Sequence, residues 1–266
     1  MCELLGMSAN VPTDICFSFS GLMQRGGRTG PHCDGWGVVF YEGRGVRCFH
    51  DPAPCHSSAI ARLIESYPIK SENVICHIRQ ANVGRVSLAN THPFTRELWG
   101  QYWSFAHNGQ LAGLVVQPGP FQTVGDTDSE ALFCDLLNRL RNQFSQMPAQ
   151  KELLQAITSA CADYARLGVC NLLLSNGDWL FTLCTSKLAW ITRRAPFGAA
   201  QLSDLELVVD FGEHTTANDI VSVIATEPLT SNEQWTLYQP GEWRLWQGGE
   251  TLASGMLRPR ADSGLH

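Results

Sequence analysis

Along this chain short, nearly continuous apolar runs alternate with a few stretches of helical period. Residues 2–8 read as a strand, and 13–23 as a helix opened by Thr13 as its cap. "GWGVVFY" (35–41) and "VRCFH" (46–50) read as two strands around a Glu42-Gly43-Arg44-Gly45 turn, followed by a helix over 57–66. "NVICHIRQA" (73–81) is an apolar strand ending in polar residues. Strand character on both sides of Asn108-Gly109, within 102–116, predicts a hairpin turn at that dipeptide. The clearest helix spans 127–144, where Ala131, Leu132, Cys134, Leu136, Leu137 and Leu140 recur at helical spacing. Thr127 and Glu130 have the spacing of a capping box at its start. A second helix, 149–167, follows Pro148. The remainder is β-rich, in runs such as "VCNLLLS", "WLFTLCT", "LAWITRR", "LELVVDF" and "IVSVIAT".

Long apolar strands with little polar alternation need cover on both faces. The pattern therefore predicts an α+β fold in which helices and sheets stack as a four-layer αββα sandwich. No linker, repeat or low-complexity block divides the chain. One domain over 1–254 is expected, with a frayed tail over 255–266.

Composition narrows the function. Apolar residues make up 44% of the 266 and charged residues 17%, and the net charge of -6 offers no footprint for nucleic acid. No Lys/Arg cluster is longer than Arg25-Gly26-Gly27-Arg28. No apolar run approaches the roughly 20 residues of a membrane helix. The N-terminal apolar stretch is broken by Asn10, Pro12 and Asp14 and lacks a basic start, so no signal peptide is read and a cytoplasmic protein is expected. Ten cysteines are present without a C-x-x-C or a zinc-ligand spacing with His. Most are expected to be buried thiols acting as small hydrophobes, with no metal and no cofactor.

Against that background Cys2 stands out. If Met1 is removed, this residue carries a thiol and a free α-amino group together, a nucleophile with its own base. Four clusters elsewhere place a charged or amide group beside the end of an apolar run. "HIRQAN" carries Arg79, whose planar fork suits a carboxylate, or else a surface ion pair. "AHNGQ" carries Asn108 and Gly109, whose amide and backbone N–H suit an oxyanion. "GDTDSE" carries Asp126, expected to serve the helix N-terminus, and Asp128, able to meet an ammonium group. "RGGRTGPHCDGWG" is glycine-rich but lacks a phosphate-loop pattern. Its Cys33 is a rival nucleophile, though adjacent His32 points the other way in an extended segment.

In this order the clusters resemble the glutaminase domain of class II glutamine amidotransferases, which are N-terminal-nucleophile hydrolases. The matches are Cys2, "QRGGRTGPHCDGWG", "HIRQAN", "HNGQ" and "TDSE", over about 130 residues, and "DGWGVVFY" and "IATEPLTSNEQW" are similar to a stand-alone branch. The resemblance implies the αββα sandwich. It also implies Cys2 as nucleophile after Met1 removal, with Asn108 and Gly109 as oxyanion hole. Arg79 would hold a substrate α-carboxylate and Asp128 its α-ammonium. Arg25 and Asn82 would support binding. Asn82 stands where the family often has Thr, and Gln80 where an aromatic residue is common.

The expected reaction is hydrolysis of the glutamine side-chain amide through a γ-glutamyl thioester, releasing glutamate and ammonia. A separate ammonia-accepting synthase subunit is a possible partner. The alternatives are an amidohydrolase of another γ-glutamyl compound, and a non-catalytic regulatory or binding protein on the same fold. A redox or metal role for the cysteines is disfavoured by their unpaired spacings.

Overall fold

A computed structural model describes residues 2–213 and 215–257. In chain order the elements are β1 (Glu3–Thr13), α1 (Cys16–Arg25), β2 (Trp36–Glu42), β3 (Gly45–Asp51), α2 (Ala59–Ser66) and β4 (Ser71–Ile78). Then come β5 (Phe94–Leu98), β6 (Gln101–Leu111), α3 (Asp128–Gln143), α4 (Gln150–Tyr164), β7 (Gly168–Ser175), β8 (Leu180–Leu183) and β9 (Ala189–Arg194). β10 (Ala199–Gln201), β11 (Val208–Asp210), β12 (Ile220–Ala225), β13 (Thr236–Leu237), β14 (Glu242–Gln247) and β15 (Glu250–Met256) complete them.

Two antiparallel sheets dominate. One has the order β13-β9-β12-β1-β4-β2-β3, the other β15-β14-β8-β7-β6-β5, and β10 and β11 form a separate ribbon. Side-chain alternation then sorts the core into three layers. From β1, Leu5, Met7 and Ala9 face α1 and α2, packing with Phe19, Leu22 and Ile64. Leu4 faces the other way and joins Ile75, Ala106, Leu173, Leu180 and Trp246 between the sheets. From the second sheet Phe105, Leu172 and Leu174 face α3 and α4, against Phe133, Leu137 and Ile157. The chain is therefore the α+β αββα sandwich its pattern predicts. Among the described residues no helix is long and apolar enough to cross a membrane.

Several elements depart from expectation. Thr13 ends β1 instead of capping a helix; α1 starts at Cys16, whose N–H is held by Asp14 Oδ1 at 3.1 Å. Thr127 does cap α3, its hydroxyl accepting from Glu130 N–H at 3.2 Å. Only half of the capping box forms, because the Glu130 carboxylate turns to Arg96 and to the N–H groups of Val124 and Gly125. β15 runs to Met256, beyond the boundary expected at 254; residues 258–266 of the expected tail lie outside the described residues. All ten cysteines are free thiols, and six are buried.

The largest correction concerns Asn108-Gly109. No turn occurs there: β6 runs through both residues, which pair with Asn171 and Cys170 of β7. The glycine serves close approach, since a Cβ at Gly109 would lie 1.8 Å from the Val169 carbonyl oxygen. A local turn signal was overridden by strand pairing.

Candidate active site

Register places the N-terminus. Glu3 of β1 pairs with Ile78 of β4, so Cys2 lies beside Arg79 and Gln80 where β4 ends. Cys2 Sγ is 3.4 Å from Gln80 N, which donates to it, and 3.5 Å from Gln80 O. The backbone nitrogen of Cys2 crosses to the second sheet and donates to Asn108 Oδ1 at 2.9 Å. The same link orients the Asn108 amide, whose Nδ2 is buried without a partner. Burial raises the Cys2 thiol above its ordinary value, opposed by the Gln80 backbone and by Arg79. The resting thiol is thus neutral and needs a proton acceptor to react.

A cavity of about 190 Å³ opens at this point. Its wall includes Cys2, Arg79, Gln80, Asn82, Asn108, Gly109 and Asp128. Among the described residues Arg79 and Asp128 are the only Arg, Lys, Asp or Glu lining it. Arg79 is 3% exposed and has no carboxylate of the described residues within ion-pair distance. Three of its five donors hold a loop, through the carbonyls of Arg85 (2.9 Å), Val83 (2.9 Å) and Gly84 (3.3 Å). Nε–H and one Nη1–H remain. Asp128 accepts from Leu111 N–H through Oδ2 at 2.7 Å, while Oδ1 has only a long contact of 3.5 Å from Ser129. Asp126 is not part of the wall; it holds Asn90 through its carboxylate and its N–H.

Arg25 lies elsewhere. It is 8% exposed and does not line the cavity. Its guanidinium pairs with Glu3 (3.1 Å) and Asp204 (2.8 Å) and donates to the carbonyls of Glu227 and Pro228. It therefore ties the residue after Cys2 to the segment around 204–228. Asn82 is exposed at the cavity mouth. Cys33 is exposed and away from the wall, while its neighbour His32 is buried with Nδ1 against the Arg25 carbonyl at 3.1 Å.

A group of histidines escaped notice in the sequence. His77 and His92 are buried with ring centroids 4.2 Å apart, and among the described residues no ring nitrogen of either reaches a partner in hydrogen-bond geometry, although the His107 backbone near His77 partly favours its protonated form. His92 and His107 both line the cavity, and His107 Nδ1 lies 2.8 Å from Ser129 Oγ. Burial, with His107 and Arg79 nearby, lowers His77 to about 3. Burial lowers His92 well below its ordinary value, and lowers His107 against the pull of Asp128. Burial thus disfavours the charged form of all three, two of them in the cavity wall. The signal was present: His77 lies two residues before Arg79 on the same strand face.

Comparison with known proteins identifies the family. The sequence pattern of the class II glutamine amidotransferases matches residues 1–263. A protein of Escherichia coli (strain K12) named among the glutamine amidotransferases, YafJ, is 57% identical over 254 residues, covering 95% of this chain and all of that protein. The crystal structure of a predicted glutamine amidotransferase from Pseudomonas aeruginosa shares 61% identity with a TM-score of 0.77, over 95% of this chain and all of that one. The glutamine phosphoribosylpyrophosphate amidotransferase of B. subtilis shares the fold at 15% identity and a TM-score of 0.60, over 97% of this chain and 49% of that one. This chain belongs to the class II glutamine amidotransferases.

Proposed function

We propose that this protein hydrolyses the side-chain amide of glutamine, with Cys2 as nucleophile once Met1 is removed; Met1 itself lies outside the described residues. One observation carries the reading. The Cys2 nitrogen and thiol sit at a cavity where, among the described residues, Arg79 and Asp128 are the only Arg, Lys, Asp or Glu in the lining, with the unpartnered Asn108 Nδ2 alongside. One cation and one anion suit the α-carboxylate and α-ammonium of an amino acid. A neutral thiol requires a base, and a freed α-amino group, ordinarily near about 7.7–8.0, can take its proton.

In this mechanism the α-amine accepts the thiol proton as Sγ attacks the amide carbon. The oxyanion meets Asn108 Nδ2 and the Gly109 N–H. The amine returns the proton to the leaving nitrogen, ammonia departs, and water cleaves the γ-glutamyl thioester to glutamate. Asn82 and Gln80 border the pocket mouth, and Arg25 supports the site through Glu3. A separate synthase subunit could take up the ammonia.

A second reading has its own support. The γ-glutamyl-hercynylcysteine sulfoxide hydrolase of Mycobacterium tuberculosis is 33% identical over 96 residues, 34% of this chain and 36% of that protein. A different γ-glutamyl amide would use the same Cys2, Arg79 and Asp128. Intact-mass measurement with and without a glutamine-analogue alkylator tests the nucleophile. Loss of Met1 and one adduct on Cys2 are expected; an adduct on Cys33 overturns the assignment. Turnover of glutamine beside a panel of γ-glutamyl compounds then separates the two substrates.

A further inference from the structure

Asn171 lies on β7 directly opposite Asn108 and is fully buried. Its side chain uses every hydrogen-bonding position it has. Oδ1 accepts from the backbone N–H groups of Thr185 (3.0 Å), Ser186 (3.0 Å) and Lys187 (3.3 Å). Nδ2 donates to Ser186 Oγ at 2.8 Å and to the Asn108 carbonyl oxygen at 3.0 Å. These partners settle which end of the amide is which, since donors surround Oδ1 and acceptors surround Nδ2.

The Asn108 carbonyl and the Gly109 N–H are opposite ends of one planar peptide group. Asn108 and Asn171 fall in a hydrogen-bonded pair of the ladder, in the register that Ala112 N–H to Leu167 O continues, so the backbone turns this carbonyl toward β7; Asn171 Nδ2 adds a second donor that holds it there and keeps the N–H aimed away. Leu111 N–H leaves β6 on the side away from β7 to reach Asp128. Alternation along the strand puts Gly109 N–H on that same edge, and Gly109 lines the cavity. Glycine at 109 is required by the approach of Val169, yet a glycine peptide is also the least restrained by its own backbone.

We propose that Asn171 is a positioning residue that aims and polarises the Asn108–Gly109 peptide, so that Gly109 N–H points into the cavity as an oxyanion donor. A hydrogen bond to the carbonyl strengthens the N–H at the other end of the same peptide. The inference rests on the amidohydrolase reading above. It adds a residue that never touches substrate, held by a loop, Thr185–Lys187, on the far side of β7 from Gly109 N–H.

Asn171→Asp separates the two arms of the side chain. A carboxylate still accepts the three N–H groups of the 185–187 turn but cannot donate to Asn108 O. The kcat for the amide substrate is expected to fall at least about tenfold, up to the roughly 10²–10³ that loss of a whole oxyanion donor costs. KM should stay within about twofold. A glutamine-derived γ-aldehyde, which forms an oxyanion on the thiol, should lose affinity in step with kcat, while glutamate should not. The Gly109 amide nitrogen resonance should move as the Asn108 carbonyl loses its second, side-chain hydrogen bond. A kcat within threefold of the parent, or an unmoved Gly109 resonance, overturns the inference. Should the charged variant not fold, Asn171→Ser carries the same limits. If the parent protein cleaves no γ-glutamyl amide at all, the functional reading fails, and the Gly109 resonance still decides whether Asn171 anchors the peptide.

Discussion

The backbone nitrogen of Cys2 donates to the side-chain oxygen of Asn108 at 2.9 Å, joining residues 106 positions apart and on different sheets. This bond fixes which end of the Asn108 amide faces the amine. Nδ2 is thereby left as the donor available to a reacting oxygen. In the proposed mechanism this one contact would set nucleophile, base and oxyanion donor together.

Asn108→Ala removes both the donor and the acceptor for the Cys2 nitrogen. Turnover of the amide should fall by roughly 10²–10³. Steady-state kinetics decide the matter, and a loss below about threefold sinks the oxyanion assignment.

Arg79→Lys keeps the charge but loses the planar fork, including the donors that hold the carbonyls of Val83, Gly84 and Arg85. KM should rise at least about tenfold, because both substrate capture and the loop above it weaken, on the scale of about 1.4 kcal/mol per tenfold. An unchanged KM would show that the α-carboxylate is held elsewhere.

Gly109→Ala drives a methyl group to within 1.8 Å of the Val169 carbonyl oxygen, a separation no real contact tolerates. β6 and β7 must part, and the cost should be at least the about 1–3 kcal/mol typical of overpacking. Thermal unfolding of the variant against the parent measures it; an equal Tm would mean that the strands do not approach as described.

His77 should make stability depend on pH. Its folded value of about 3 lies below the ordinary value near 6.5, so between those limits the unfolded chain binds the proton and the folded one does not. Stability is fully present above about pH 6.5 and is lost as pH falls towards 3. Unfolding of His77→Leu by urea should show a slope shallower than the parent by up to about 1.4 kcal/mol per pH unit inside that window. Above pH 7 the variant should be no less stable, because it removes ring nitrogens that have no partner. Parallel slopes would mean that His77 is charged in the folded protein.

Local signals in the sequence account for several elements. The helical spacing of Leu132, Leu136, Leu137 and Leu140 marked α3, and Thr127 marked its cap, because both signals act within a few residues. Apolar strands needing cover on two faces led to the sandwich. Cys2, Arg79, Asn108, Gly109 and Asp128, taken in order, pointed to the family, and the fold brings all five to one cavity.

Tertiary structure decided the rest. Asn-Gly carries a turn preference of local origin, and pairing along β7 outweighs it. Arg25 had a motif but no visible target; its partners Glu3, Asp204 and the carbonyls near 228 meet only after folding. The neutral stack of His77 and His92 and the grip of Asn171 on Asn108 arise from burial and cross-strand register. Sequence by itself determined which groups the protein carries and how each segment folds locally. Which groups touch, and which lose water and so their charge, depends on contacts between distant residues that only the packed sheets bring together.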